Sequence, residues 1–469
     1  MIPAPSVDLG ALLPSLIVFG AGVLVLLLDL LPPRSKEHLG GVALAGLVAA
    51  LLSAIPLWNR DSRAFRDMVL LDNYALFFHV VICYASALAV LLSIDYLRRN
   101  GVESGEYYAL LLFSTTGMML LASAGDLLVV FLGIELMSLS LYVLAGLFKL
   151  RLASGEASMK YFLLGAFATS FLLYGIALIY GATGSTNFDR IAAAAAARPR
   201  DALVTIGLSL LLVGFGFKIS SVPFHMWAPD VYEGAPTSVT ALIRVLTVAL
   251  RAAQPDWSVL LWAVAAVTMT VGNVIAIAQS NLKRMLAYSS IAHVGYMLVG
   301  LVAGGVSGAG AVLFYLLAYT FTTAGAFGAI LLVERSDDGE AVEVGDYAGL
   351  ARRHPVLAAT LGLFLLSLIG IPPLAGFVGK FYLFGSAVRA GYVWLTVLGV
   401  LNSAIAAYYY LRVIVYMYMR EPEGADVRLV PSFAGGVALA IAVIGIVLLG
   451  VMPAPFADLA QVAVTPLVR

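Results

Sequence analysis

The sequence predicts an all-α, polytopic membrane protein, on three observations. The chain of 469 residues is 62% hydrophobic and only 12% charged, where a soluble protein carries about 25% charged residues. Its mean hydropathy is +0.99. Apolar runs of the roughly 20 residues needed to cross a bilayer recur along the whole chain. Counted together they predict about 14 transmembrane helices.

The first run, residues 12–31, lacks a basic leading region and a small-residue cleavage site, so it reads as a span and not as a signal peptide. Residues 41–58, 74–97, 107–122, 127–148 and 159–181 follow. Residues 187–201, with their alanine run, read as a short surface helix or loop. The run 202–222 breaks at Pro223 and continues to residue 235, and 237–250 is abnormally short for a span. Then come 257–277, 285–302, 310–333, 356–371 continuing past Pro372 and Pro373 to residue 388, 392–419 and 435–451. The longest polar connection is 334–354, too short for a soluble domain. Basic residues concentrate in alternate loops, among them Arg98, Arg99, Lys149, Arg151, Lys283, Arg284, Arg352 and Arg353. The positive-inside bias therefore puts those loops inside and both termini outside.

The formal net charge is zero, so no nucleic-acid partner is expected. The single cysteine, Cys83, excludes a disulfide framework and a cysteine metal site and reads as a small buried residue. No phosphate loop, dinucleotide fingerprint, Cys/His metal spacing or pair of haem-spaced histidines is present. The chain itself is therefore expected to hold no redox centre, nucleotide site or cofactor. Whatever drives charge movement through it must come from a partner, an ion gradient or the membrane potential.

The ionisable residues inside the apolar runs are the candidates for chemistry, because an ion at that depth is costly and commonly marks an ion or proton path. Six lysines occur, and Lys160, Lys218 and Lys380 lie within apolar segments. A desolvated lysine can release its proton near neutrality, whereas arginine cannot. Lys218 and Lys380 are both deep, and each lies beside a proline break, at Pro223 and at Pro372–Pro373. Paired breaks in two halves point to inverted repeats with a site where the helices are interrupted. The other reading of each lysine is a cap on carbonyls freed by the break. Glu135 is the one charge in 127–148, eight residues from its nearer end. It reads as a proton carrier, or else as a glutamate hydrogen-bonded to a neighbouring helix. Lys160 reads either as a cation paired with Glu135 or as a lysine snorkelling to the surface. His225 and His293 suit relay work, with a satisfied core histidine as the alternative. Asp230 and Glu233, in the polar turn after Pro223, read as solvated loop residues.

These residues sit in stretches that resemble the antiporter-like membrane subunits of bacterial respiratory complex I, a NADH–quinone oxidoreductase. The stretches are LGIELMSLSLYVLAG (132–146), SMKYFLLGAFATSFLLYGIALIYGATGST (158–186), VPFHMWAPDVYEGAPTSVTA (222–241), NLKRMLAYSSIAHVGYML (281–298) and GIPPLAGFVGKFYLF (370–384). The similarity runs over essentially the whole chain, and the wording fits one of the sister subunits specifically. The resemblance implies 14 helices in four parts: three helices in 1–106, a first five-helix repeat in 107–253, a second, inverted repeat in 257–420, and a last helix in 421–469. It implies a polar axis of Glu135, Lys160, Lys218 and Lys380, with His225 and His293 as relay candidates. Protons would cross along that axis, driven by quinone reduction elsewhere in the complex. NADH and quinone would be used by the whole assembly, with other membrane-arm subunits and lipid as this chain's partners and the bacterial inner membrane as its place.

The chain departs from that pattern once. The family's eighth helix carries a central lysine. Here 238–250 is thirteen residues long and offers only Arg244. A natural shortening, a deletion and a gene-prediction defect all fit this gap. Two other functions stay open: a subunit of a related multisubunit cation/proton antiporter, or a scaffold that no longer pumps because the lysine-bearing helix is shortened.

Overall fold

The structure is a computed structural model that describes residues 8–31, 36, 38–102, 105–198, 201–231, 244–250, 254–335, 341–421 and 427–468. Its helices in order are α1 (Leu13–Asp29), α2 (His38–Ala54), α3 (Asn73–Arg99), α4 (Gly105–Ala122), α5 (Leu127–Ala145), α6 (Leu152–Thr183), α7 (Phe188–Ala197), α8 (Ala202–Lys218) and the single turn α9 (Ala228–Val231). Beyond the eighth segment come α10 (Gln254–Ile277), α11 (Leu282–Ala303), α12 (Gly305–Leu331), the turn α13 (Leu350–Arg353), α14 (Pro355–Ile369), α15 (Ala375–Arg389), α16 (Val393–Met419), α17 (Phe433–Val451) and α18 (Ala454–Val468). Among the described residues, ten helices are long and apolar enough to cross a membrane, with α8 and α14 as shorter apolar pieces ending at the two breaks. The protein is thus an all-α polytopic membrane protein. Its only strands among the described residues form two antiparallel pairs, Ser62–Ala64 with Val69–Leu71 and Val333–Arg335 with Val427–Leu429.

The helix starts follow from side-chain caps. Asp72 accepts the Ala75 amide at 2.8 Å, Asp126 the Leu128 amide at 2.8 Å, Asp201 the Leu203 amide at 2.8 Å, and Asn281 the Arg284 amide at 3.1 Å. Each satisfies an amide that the first turn leaves without a partner. Leu132, Leu139 and Val143 are exposed along one side of α5, and similar apolar stripes lie on most outer helices, as a lipid-facing surface requires. Helix α11 is instead almost wholly buried and α12 largely so, and the two pack together inside the molecule. Glycine brings α4 and α5 into backbone contact: a Cβ on Gly117 would meet the Met137 nitrogen at 2.6 Å and the Gly133 oxygen at 2.8 Å. Small residues allow such approaches inside membranes, and this one fixes the height of Glu135 on α5.

Two elements differ from the sequence reading. The stretch 187–201 is more than a surface helix, because Phe188, Ile191 and Ala195 of α7 are buried. The chain also adds α18 after residue 451. Prolines at 453, 455 and 466 obscure it in the sequence, although Pro455 falls in the first turn, where its missing N–H costs nothing.

Candidate functional site

The first break is built so that its irregular backbone stays satisfied. α8 stops at Lys218. The Trp227 indole then folds back and donates to the Phe217 carbonyl at 2.9 Å, and the Val222 amide donates to Thr268 Oγ1 of α10 at 3.1 Å. Trp227 also stacks on Tyr161 of α6, with ring centroids 4.4 Å apart. Non-helical backbone at membrane depth survives only with partners of this kind.

Lys218 is 7% exposed. Its Nζ donates to Ser138 Oγ at 2.6 Å and to Tyr142 OH at 3.2 Å, both on α5. Ser138 passes its own hydrogen to the Ile134 carbonyl at 2.6 Å, which leaves its lone pairs facing the ammonium. Glu135, Ser138 and Tyr142 are spaced i, i+3 and i+7, so they share a face of the helix. From that face the Glu135 carboxyl stands near Tyr142 and Lys218. Its Oε1 is buried and has no hydrogen-bond partner among the described residues. Ser138 and Tyr142 were not singled out from the sequence. A serine and a tyrosine in an apolar run carry no signal of their own, but their spacing from Glu135 does.

The expected pair between Glu135 and Lys160 does not form. Lys160 lies in the third turn of the longer α6, and its side chain is 45% exposed. It pairs with Glu156 at 2.6 Å and with Asp230 at 3.1 Å. The physical reason is the helix start: α6 begins at Leu152, well before residue 159, so Glu156 is one turn away at i−4 and competes locally. Asp230 is likewise no free loop residue. It also binds Arg284 of α11 at 2.8 Å, so one carboxylate clasps α6 to α11. Burial alone would raise the Asp230 carboxyl, but hydrogen bonds from Arg284 and Lys160 outweigh it and hold the group below its ordinary value. A lowered carboxyl keeps its contribution above the ordinary carboxylate range and loses it as pH falls through the lowered value. The clasp is therefore expected to persist unchanged from pH 8 to pH 5. Asp230→Asn should lower thermal stability slightly, and by the same amount at every pH in that window, because exposed ion pairs contribute little. Thermal unfolding of the two proteins at both pH values checks this.

The second break mirrors the first with a different partner set. Lys380, on α15 and 5% exposed, donates to the Leu368 and Ile369 carbonyls at 3.0 Å each, and its Nζ lies 4.8 Å from the Tyr296 ring centroid. Those carbonyls are the ones that the end of α14 releases, so the contacts are those of a cap. His293 is 2% exposed. Its Nδ1 lies 2.5 Å from Tyr315 OH and its Nε2 3.4 Å from Tyr410 OH. Lys380 acts on it electrostatically. His225 sits half-buried on the turn after Pro223, with a buried Nδ1 that has no hydrogen-bond partner among the described residues. Glu233 and Pro236 lie outside the described residues.

Of the short eighth segment, residues 244–250 are described; 238–243 lie outside the described residues. They form one π-helical turn, Val245–Ala249, packed against α7 and α18. Arg244 is 2% exposed and binds Asp72 through both carboxylate oxygens, at 2.7 and 2.9 Å. Since Asp72 is the cap of α3, the guanidinium is held at a helix end, away from the two breaks.

The fold is thus a polytopic membrane bundle with two interrupted helices, each with a buried lysine at its break. Residues 124–406 match the family described as NADH:quinone oxidoreductase/Mrp antiporter, TM. The chain is 47% identical to NADH-quinone oxidoreductase subunit N of Trichlorobacter lovleyi, over 98% of this chain and 97% of that one. It therefore belongs to the NADH-quinone oxidoreductase subunit N family. Among solved structures it is similar to a chain of respiratory complex I from Thermus thermophilus, at 35% identity and a TM-score of 0.79, covering 96% of this chain and 99% of the other. It also shares its fold with a chain of the Mrp complex from Dietzia sp., at 22% identity and a TM-score of 0.82, covering 98% of both chains.

Proposed function

We propose that the chain is a membrane-arm subunit of a proton-pumping NADH:quinone oxidoreductase in the bacterial inner membrane. It carries protons along buried groups that include Glu135, Lys218, His293 and Lys380, driven by quinone reduction elsewhere in the assembly. NADH and quinone are used by the other parts of that assembly, and its neighbouring membrane subunits are this chain's partners. The observation that carries the reading is Lys218: an ammonium buried at a helix break, held by the neutral hydroxyls of Ser138 and Tyr142, with the Glu135 carboxyl on the same helix face. An ionisable group held at that depth beside a helix break commonly marks an ion or proton path. Lys160, tied to Glu156 and Asp230 at the inside end, serves as a docking point for the clasp, and His225 as a secondary relay.

One observation favours a scaffold. Arg244 is the basic residue in the described part of the eighth segment, and its ion pair with Asp72 holds it away from the breaks. Arginine keeps its proton at any accessible pH. The first test is assembly. A tagged chain drawn from its native membrane in mild detergent is expected to bring NADH-dependent quinone reductase activity with it in one large particle. Isolation alone, or with small membrane partners and no redox activity, would move the antiporter reading ahead.

A further inference from the structure

Besides its two carbonyl contacts, the Lys380 ammonium meets the face of the Tyr296 ring, with Nζ 4.8 Å from the centroid. No carboxylate pairs with this lysine among the described residues. An aromatic face is the negative side of the ring's quadrupole, and it attracts a cation most strongly where water is excluded. Tyr296, on α11, is fully buried. Phe384, one turn beyond Lys380 on α15, meets the same ring nearly at right angles, with centroids 5.9 Å apart. His293 does so from α11 itself at 5.4 Å. The ring is therefore wedged in place, and Lys380 and Phe384, spaced i and i+4, both reach it from one face of α15.

The phenol end of the ring is tied down by a second group of side chains. Asn273 of α10 donates to Tyr296 OH at 3.1 Å and accepts from Tyr409 OH of α16 at 2.9 Å. Its amide also donates to the Met269 carbonyl at 2.9 Å and to Asn402 Oδ1 of α16 at 3.3 Å. Asn402 in turn donates to Thr270 Oγ1 at 3.3 Å and to the Leu398 carbonyl at 3.0 Å. Both asparagines are buried. A buried amide is costly unless its donors and acceptor are met, and here all of them are. A fully satisfied buried network fixes one geometry. What this one orients is the ring that faces Lys380.

We infer that Tyr296 is an aromatic platform that positions the Lys380 ammonium, and that Asn273 is the residue that sets the platform; the inference rests on the proton-carrying function proposed above. The ring attracts the ammonium and has no such hold on the neutral amine, so the platform favours the loaded lysine. The first break is built differently. There the ring centroids of Tyr142 and Phe217 lie farther from Lys218 Nζ, at 5.5 and 5.7 Å, and two hydroxyls hold the ammonium. The two buried lysines are thus held by different chemistry, hydroxyls at one break and an aromatic face with two carbonyls at the other.

The test uses the assembled complex, purified and reconstituted in liposomes, and reads NADH-driven proton uptake against quinone reductase activity after uncoupling. Tyr296→Phe and its counterparts with mono-, tri- and pentafluorinated phenylalanine keep the ring's shape and weaken its hold on a cation step by step. Proton uptake should fall in that order, by about tenfold across the series. A ring that only fills space would not follow the fluorine count. Asn273→Leu should lower uptake in the native background and add little to Tyr296→Phe, where the tether is already gone. Independent, additive losses would overturn the part given to Asn273, and the fluorinated series carries the test if Asn273→Leu does not assemble. Lys380→Ala is run beside them. Uptake that ignores fluorination while Lys380→Ala is impaired overturns the platform and leaves the proton-carrying function standing. Native uptake in Lys380→Ala as well overturns both.

Discussion

Lys218→Ala is expected to cut the proton-coupled turnover that runs through this chain by roughly 10²-fold, the low end of what removing a positioned proton-transfer group costs. The geometry explains why no neighbour replaces it. Ser138 and Tyr142 remain as hydroxyls after the substitution, but neither holds an extra proton near neutral pH, and Ser138 already spends its hydrogen on the Ile134 carbonyl. Lys218→Arg is expected to fail similarly despite keeping the charge. The guanidinium does not release a proton, and its planar fork does not match two hydroxyls on one helix face. Rates of NADH-driven proton uptake in coupled membranes, beside quinone reduction in uncoupled ones, separate a transport defect from a lost assembly. Native coupled rates in both variants would leave the buried lysine without the role given to it.

The largest structural effect is expected at Asp72→Ala. Arg244 is 2% exposed, and its Nε has no hydrogen-bond partner among the described residues, so Asp72 supplies its charge partner at 2.7 Å. Removing one member of a buried pair leaves the other charge uncompensated, at about 3–5 kcal/mol. Loss of the α3 cap adds about 0.5–2 kcal/mol. The amount of assembled complex recovered from membranes should fall sharply. The double variant Asp72→Ala/Arg244→Met, which removes both charges, should recover much of it, because two absent charges cost less than one stranded charge. No recovery would mean that the cap, and not the ion pair, carries the stability. The pair also explains how a shortened segment keeps its place. The arginine, just before the π-helical turn, anchors it to the start of α3, and Val245, Leu246 and Ala249 bury against α7 and α18.

Much of this was legible in the chain because membranes impose simple rules. Apolar length marked the spans, and proline marked both breaks at Pro223 and Pro372–Pro373. Depth within an apolar run picked out Glu135, Lys218 and Lys380. Lys218 and Lys380 are indeed buried, and each stands at a break. Partner choice was less legible, because it is a tertiary property. For Lys160 the sequence leaves open a pair with Glu135 or a lysine snorkelling to the surface; its half-exposed side chain fits the second, and an earlier helix start and the fold bring Glu156 and Asp230 to it. The hydroxyl network around His293 was invisible for the same reason. Tyr315 and Tyr410 lie 22 and 117 residues from it in sequence, and tyrosines in apolar helices are common enough to carry no message. Arg244 and Asp72, 172 residues apart, could be paired only by the fold.

The central claim is that protons cross through this chain when quinone is reduced elsewhere in its complex. The most direct measurement is the number of protons translocated per NADH oxidised by the reconstituted complex, native against Lys218→Ala, at matched quinone reductase activity. A lower ratio in the variant is the predicted result. An unchanged ratio would contradict the account and leave the chain a scaffold.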